Sequence, residues 1–198
     1  MKTKVHFFNL VLLIVLISIS FISCETMKGA TREGNLMLVD ELIKKGEDVN
    51  KKDEYGWTPL LTAAYHNQIL IAEHLLNNGA KVNHQSSEAL NRIPKESTAL
   101  HIAAFYNFTE VVKKLLNHGA DINITDDRGR TALIIASYFG HLETVRVLME
   151  RGADPNIADK SKYTAKSYAS KFNFLEIYIL ISGKDSFTDK KPGKENKK

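Results

Sequence analysis

Apolar residues three and four positions apart recur in short segments through the middle of the chain. Clear examples are Val111, Val112, Leu115 and Leu116, followed by Val145, Val147 and Leu148. A helix with this spacing presents one apolar face. A glycine follows each set within a few residues, Gly119 and Gly152, where a left-handed helix cap is favoured. The pattern therefore predicts short amphipathic helices that pack against one another.

The predicted helices belong to an internal repeat. Glycine, asparagine and threonine landmarks recur at intervals of 33 residues, with one interval of 40: Gly46, Gly79, Gly119 and Gly152; Asn50, Asn83, Asn123 and Asn156; Thr58, Thr98, Thr131 and Thr164. The longer interval marks a seven-residue insertion between Asn83 and Thr98. Each threonine hydroxyl can cap the start of a helix, and Pro59 suits a first helical turn. Such a period indicates a stacked repeat protein.

At these positions the sequence resembles the ankyrin-repeat family. Asp53 to Asn83, DEYGWTPLLTAAYHNQILIAEHLLNNGAKVN, follows the family pattern of a turn, T-P-L-H, A-A, a helix and G-A-D-V-N. STALHIAAFYNFTEVVKKLLNHGADIN and DDRGRTALIIASYFGHLETVRVLMERGADPN are similar. The resemblance implies an all-α solenoid of stacked helix-turn-helix units with short β-hairpin fingers, and it says little about function.

We expect about five units in residues 24–183. They are 25–52 as an N-terminal cap without a finger, 53–85, 86–125 with the insertion, 126–158, and 159–183 as a polar C-terminal cap. Counting back 33 residues from Thr58 places the start of the first unit at Glu25. The tail 184–198 has almost no apolar residues, so we expect it to be disordered and basic.

The first 23 residues have the pattern of a signal peptide. Lys2 and Lys4 precede FFNLVLLIVLISISFI, which is shorter than the roughly 20 apolar residues of a comfortable membrane span, so a permanent transmembrane helix is the second choice. The segment Phe21 to Cys24 resembles a bacterial lipoprotein signal, although Phe21 and Ile22 depart from the usual types. The resemblance implies cleavage after residue 23 and a lipid on Cys24, the sole cysteine. The alternative is a cysteine that merely closes the apolar segment.

The charge of the chain argues against nucleic acid as the partner. The formal net charge is +4, of which residues 1–23 contribute +2 and residues 184–198 contribute +3. About −1 remains for the body, whereas a nucleic-acid-binding domain needs a clustered basic face.

The motifs do not indicate catalysis. The seven histidines show no His-x-x-x-His pair, and the resemblance gives His101 and His141 structural hydrogen-bonding roles. The sequence contains no Gly-rich phosphate loop and no nucleophile elbow, and Cys24 is its only thiol. We therefore expect a non-enzymatic protein without metal or cofactor.

The positions after each Ala-Ala pair, or its equivalent, are the candidate binding surface. Seven of these eight residues are aromatic or histidine: Tyr65-His66, Phe105-Tyr106, Tyr138-Phe139 and Lys171-Phe172. Stacking would align them along the concave face as a recognition groove, although the rings could instead pack as core between units. Finger residues would border the groove: Glu54, Tyr55, Trp57, Asp127, Arg128, Arg130, Lys160 and Tyr163.

The partner-binding candidates are thus Tyr55, Trp57, Tyr65, His66, Phe105, Tyr106, Arg128, Arg130, Tyr138, Phe139 and Phe172. The insertion, residues 84–97, lies at the same edge and either tunes the partner or is a neutral loop.

The first functional hypothesis is a monomeric, lipid-anchored module that binds a protein outside the cytoplasm as adaptor or inhibitor, at the periplasmic face or the cell surface. The alternatives are a surface lipoprotein acting on host or environmental proteins, a secreted form without the anchor, and an enzyme with a small-molecule pocket in the groove.

Overall fold

The computed structural model describes residues 26–183, which form ten short helices in five helix-turn-helix pairs. The helices are α1 Met27–Glu33, α2 Leu36–Lys44, α3 Pro59–Tyr65, α4 Ile69–Asn77, α5 Ala99–Phe105, α6 Thr109–Asn117, α7 Ala132–Phe139, α8 Leu142–Glu150, α9 Ala165–Lys171 and α10 Leu175–Ile181. We number the pairs units 1 to 5. The predicted all-α repeat fold is confirmed.

Two layers of helices result from the stacking of the units. The first helices, α1, α3, α5, α7 and α9, contact one another in chain order, and the second helices form a parallel series. Small residues of the first helices are fully buried, among them Ala64, Ala104 and Ala136. Methyl side chains let neighbouring first helices approach closely, while branched residues such as Leu75 and Leu115 fill the space under the second helices.

Threonine hydroxyls cap the first helices as the sequence predicts. Thr58, Thr98, Thr131 and Thr164 each accept a hydrogen bond from the backbone N–H three residues later. In unit 1 the cap of α1 is Thr26, one residue after the position that the 33-residue period aligns with Thr58. The left-handed residue in the turn after α1 lies one position closer to its helix cap than the left-handed residue in the turn after α3. The first unit is therefore one residue shorter than the second.

The fingers reverse the chain without forming strands. Asp53, Asp126 and Asp159 begin the fingers of units 2, 4 and 5, and in each the aspartate N–H bonds to the carbonyl oxygen four residues later. The carboxylate of Asp53 accepts the N–H groups of Tyr55 and Trp57, which a hairpin ladder would otherwise use. Within residues 26–183 only isolated bridges occur, Leu90 with Ile93 and Ala158 with Thr164, so the expected β-hairpins are compact turns.

The insertion of unit 3 keeps the base of a finger. Ser86 takes the place of the aspartate: its N–H bonds to the Ser97 carbonyl, and its hydroxyl accepts the Ser97 N–H at 3.2 Å. Glu96 has φ 57°, in the left-handed region that Gly56 and Gly129 occupy in ordinary fingers. The extra residues therefore extend from an unchanged turn and do not disturb the stack.

The turn between paired helices has a left-handed residue in every unit: Gly34, Asn67, Asn107, Gly140 and Asn173. Gly140 has φ 76°, and a Cβ built on it would lie 2.8 Å from the Phe174 ring of unit 5. Gly152 has φ 84°, but a Cβ there would meet no atom within 4 Å. A side chain at Gly152 would therefore introduce backbone strain alone, whereas a side chain at Gly140 would introduce both backbone strain and a steric contact.

We predict that Gly140→Ala destabilises the domain more than Gly152→Ala. Left-handed strain costs each alanine about 1–2 kcal/mol, and at Gly140 displacement of the Phe174 ring adds about 1–3 kcal/mol. Urea denaturation followed by circular dichroism measures both. Equal losses of stability in the two variants would contradict the close packing of unit 5 on Gly140.

No helix within residues 26–183 is long and apolar enough to span a membrane. The predicted signal peptide with Cys24 and the predicted basic tail, residues 184–198, lie outside the described residues.

Candidate partner-binding groove

Stacking brings the predicted aromatic pairs into a continuous row. They lie at the C-terminal ends of α3, α5, α7 and α9, and their rings contact from unit to unit. Ring centroids are 5.4 Å apart for Tyr65 and Tyr106, and 4.7 Å apart for Phe105 and Phe139. Tyr138 reaches the last unit, 5.1 Å from Phe172. We call these six residues the aromatic row; edge-to-face contacts of this kind stabilise their mutual packing.

Exposure of the row rises toward the C-terminal end. Tyr65, Phe105 and Tyr106 are half-buried, whereas Tyr138, Phe139 and Phe172 retain 37%, 38% and 40% of their surface. The two alternatives, groove and core, thus each describe part of the row. The C-terminal half is an accessible apolar strip, and the N-terminal half is packed.

The insertion reaches the first ring of the row. Asn91 donates a side-chain hydrogen bond to the Tyr65 hydroxyl at 2.7 Å, and Ile93 is buried in the core. Burial, together with the hydrogen bond to Tyr65, raises the pKa of Tyr106 to about 12.

Two predicted binding residues lie in the interior. Trp57 is 4% exposed and packs edge-on against Tyr65, with ring centroids 5.5 Å apart. Arg130 is 8% exposed and donates two guanidinium hydrogen bonds, at 2.9 and 2.8 Å, to Oδ2 of buried Asp126. Both directly precede a capping threonine, the position where the finger rejoins the stack. Their side chains therefore hold the finger in place and are not accessible at the binding surface.

The remaining predicted residues are accessible. Tyr55, His66 and Arg128 are exposed, as is Lys171 at the paired position of the last unit. Tyr55 is 44% exposed and lies with its ring 5.6 Å from the Lys28 ammonium, at the N-terminal end of the finger edge. Burial, with a smaller effect of nearby Arg32, lowers the pKa of His66.

A cavity that the sequence did not reveal opens between the fingers of units 4 and 5. It has a volume of about 340 Å³, and Arg128, Tyr138, Lys160 and Tyr168 contribute to its lining. Tyr168 donates its hydroxyl to Asp159 at 2.6 Å; burial, then this hydrogen bond, raises the pKa of Tyr168 to about 12. The sequence feature that could have indicated this cavity is Tyr168, an aromatic residue at the position that Thr62 and Ile102 occupy in earlier units.

Histidines in the described residues hold the stack together. His101 Nδ1 accepts the Thr98 N–H at 3.0 Å, so Nε2 carries the proton and donates to the Ile124 carbonyl at 2.9 Å. His141 Nε2 bonds to the Phe105 carbonyl at 3.1 Å. The expected hydrogen-bonding roles of both are observed. Across residues 26–183, no cluster of three His, Cys, Asp or Glu side chains could hold a metal ion.

The stacked pairs, capping threonines and Asp-based fingers match a known family. A family model described as ankyrin repeats in three copies matches residues 26–86 and again residues 86–159. The chain belongs to the ankyrin-repeat family. Repeats of this family are protein-interaction modules, and ankyrin-repeat relatives are typically adaptors rather than enzymes.

Relatives of this ankyrin protein match over short stretches. The human ankyrin repeat and SOCS box protein 3 is 35% identical over 81 residues, 41% of this chain. Ankyrin repeat, SAM and basic leucine zipper domain-containing protein 1 of Carollia perspicillata is 41% identical over 59 residues, 30% of this chain. The matches span 15% and 12% of these relatives' lengths, so they identify the repeat module and not the activity of a whole protein.

We predict that the ankyrin domain loses stability as the pH falls below 6.5 because of His101. Its side chain is 2% exposed, and burial lowers its pKa, so the imidazole stays neutral in the fold. The unfolded chain takes up a proton at that position near pH 6.5, which favours unfolding by about 1 kcal/mol at pH 5.5. Urea titrations at pH 7.5 and 5.5 measure the difference. His101→Gln should reduce the difference, and an undiminished difference in this variant would contradict the role of His101.

Proposed function

We propose that this ankyrin domain is a non-enzymatic adaptor or inhibitor that binds a protein partner through the C-terminal half of the aromatic row. The observation that carries the proposal is the contact between three exposed rings, Tyr138, Phe139 and Phe172. Aromatic side chains give a large contact area with few rotatable bonds, and they are frequent among the residues that dominate binding energy. Arg128 on the finger of unit 4 would complete the contact at the edge of the row.

The rigid stack favours this use of the surface. The rings are held by their neighbours in adjacent units, so a partner would meet a surface whose side chains are already ordered. Preorganisation reduces the entropic cost of binding. Insertion residue Asn91 fixes Tyr65 in the same way, which leaves Tyr138 and its neighbours as the accessible part of the row.

The proposal includes anchoring of the domain outside the cytoplasm by a lipid on Cys24. Its support is the sequence: Lys2 and Lys4, the apolar segment and the small residue Ser23 before Cys24. The cysteine lies two residues before the cap Thr26, so an anchor there would leave almost no linker between bilayer and domain. A diacylated or triacylated terminus holds far more firmly than one acyl chain. Digestion of the domain by protease added to intact cells would favour the alternative of a surface lipoprotein over a periplasmic one.

The groove proposal predicts that Tyr138→Ala combined with Phe172→Ala weakens partner binding at least about tenfold, since such anchors contribute about 2 kcal/mol or more. The partner is first identified by affinity capture with the unaltered protein, and its dissociation constant is then measured by calorimetry. The matched control is Leu70→Ala with Leu175→Ala, two leucines of the second-helix layer that are more exposed than the rings. Both double variants must keep the native circular dichroism spectrum. Equal binding by the two would overturn the groove.

The anchor proposal predicts that Cys24→Ser abolishes lipid attachment. In a bacterial host fed an alkyne fatty acid, the unaltered chain should carry the label and sediment with membranes, because its thiol receives the diacylglyceryl group. Cys24→Ser should lose the label, whereas Ser23→Ala, which keeps a small residue beside the cleavage site, should retain it. Label on the Cys24→Ser protein, or an unlabelled unaltered chain, would contradict the anchor.

A further inference from the structure

The last unit concentrates lysines that have no acidic partner. Residues 159–183 contain four lysines against two acids, a net charge of +2. Among the described residues, none of these four forms an ion pair, whereas six lysines of the earlier units do: Lys28, Lys44, Lys45, Lys95, Lys113 and Lys114. The four unpaired lysines are Lys160, Lys162, Lys166 and Lys171. Their charge is therefore available to a partner.

Two of these lysines, Lys160 and Lys171, lie beside the exposed half of the aromatic row, whereas Lys166 lies over the ring of Tyr178 in the second-helix layer. The Lys171 ammonium lies 4.5 Å from the ring of Tyr163 and 5.9 Å from that of Phe172. Lys160 lines the same cavity as Tyr138 and donates only to a backbone oxygen, that of Asp127, at 2.6 Å. Positive charge thus flanks the apolar strip along the fingers and at its C-terminal end.

The acidic groups nearby are mostly engaged within the protein. Asp126 is held by Arg130, and Asp159 accepts two backbone N–H groups and the Tyr168 hydroxyl. Neither Arg128 nor Lys160 forms a side-chain ion pair among the described residues, but the Asp127 and Asp159 carboxylates line the same cavity. Lys171, beside Phe172, is a third cation, so formal positive charges exceed formal negative charges by one. A groove with this charge attracts an acidic ligand and repels a basic one.

We propose that the C-terminal half of the aromatic row, with Arg128, Lys160 and Lys171, binds an extended acidic segment of the partner that carries an apolar or aromatic anchor residue. This inference rests on the proposed function and specifies the partner. The anchor would pack against Tyr138 and Phe172, and the carboxylates would face the cations.

The experiment selects binders from a displayed random peptide library on the purified protein. Selected peptides should be enriched in Asp and Glu around an aromatic or leucine residue. Each is then measured by fluorescence anisotropy against the unaltered protein and two charge-matched triple variants. Lys160→Gln, Lys162→Gln and Lys171→Gln should weaken binding about tenfold or more, and raising salt from about 50 to about 300 mM should have a similar effect. Lys51→Gln, Lys52→Gln and Lys81→Gln remove three unpaired lysines elsewhere and should change binding less than about twofold.

The outcomes separate this inference from the function on which it rests. Neutral or basic peptides that lose binding in the Tyr138→Ala, Phe172→Ala protein would overturn the acidic partner and leave the groove standing. Acidic peptides that bind this double variant unchanged would overturn the groove as their site. Selection of no peptide, or equal loss of binding in both lysine variants, would also overturn the inference. Tighter binding to anionic vesicles or single-stranded RNA than to any selected peptide would assign the cations to those ligands instead.

Discussion

Close approach of the first helices is the constraint on which the rest of the structure depends. A two-helix unit of this size cannot bury its apolar face alone, so each unit is stable only against its neighbours. Fully buried alanines such as Ala63, Ala103 and Ala169 let the first helices lie side by side. Because the helices are in register, the residues that follow the alanines are also in register. The row from Tyr65 to Phe172 is thus a direct consequence of small residues in the core.

The fingers add a second connection between units that is independent of side-chain identity. The Glu88 N–H bonds to the Tyr55 carbonyl, the Asp127 N–H to the Lys95 carbonyl, and the Lys160 N–H to the Arg128 carbonyl. Backbone bonds of this kind tolerate sequence variation, so exposed finger side chains are available for recognition while the stack stays intact. The insertion keeps its bonds to both neighbouring fingers, which explains why extra residues are accommodated at the edge of the domain.

Much of the fold could be predicted from the sequence because its determinants are local. Threonine caps, turn glycines and alanine pairs act within a few residues, and the 33-residue period repeats them. The errors arose where geometry between units decides the result. Trp57 and Arg130 resemble surface finger residues in sequence, but the position before the capping threonine turns inward, against Tyr65 in one case and Asp126 in the other. The period also does not reveal that Thr26 caps the first helix, since a one-residue shortening leaves no signal in a weakly matching unit.

The unequal exposure of the aromatic row could not be predicted, because it depends on a loop from a different part of the sequence. Asn91 and Ile93 have no counterpart in the repeat pattern, yet Asn91 bonds to the Tyr65 hydroxyl at the N-terminal end of the row and Ile93 is buried in the core. The accessible half lies beside the unit whose lysines lack acidic partners. A uniform stack would offer equivalent sites along its length, whereas this one combines apolar surface and unpaired charge at a single end. In the proposed binding mode, the insertion would occupy the Tyr65 end of the row and so restrict where a partner can bind.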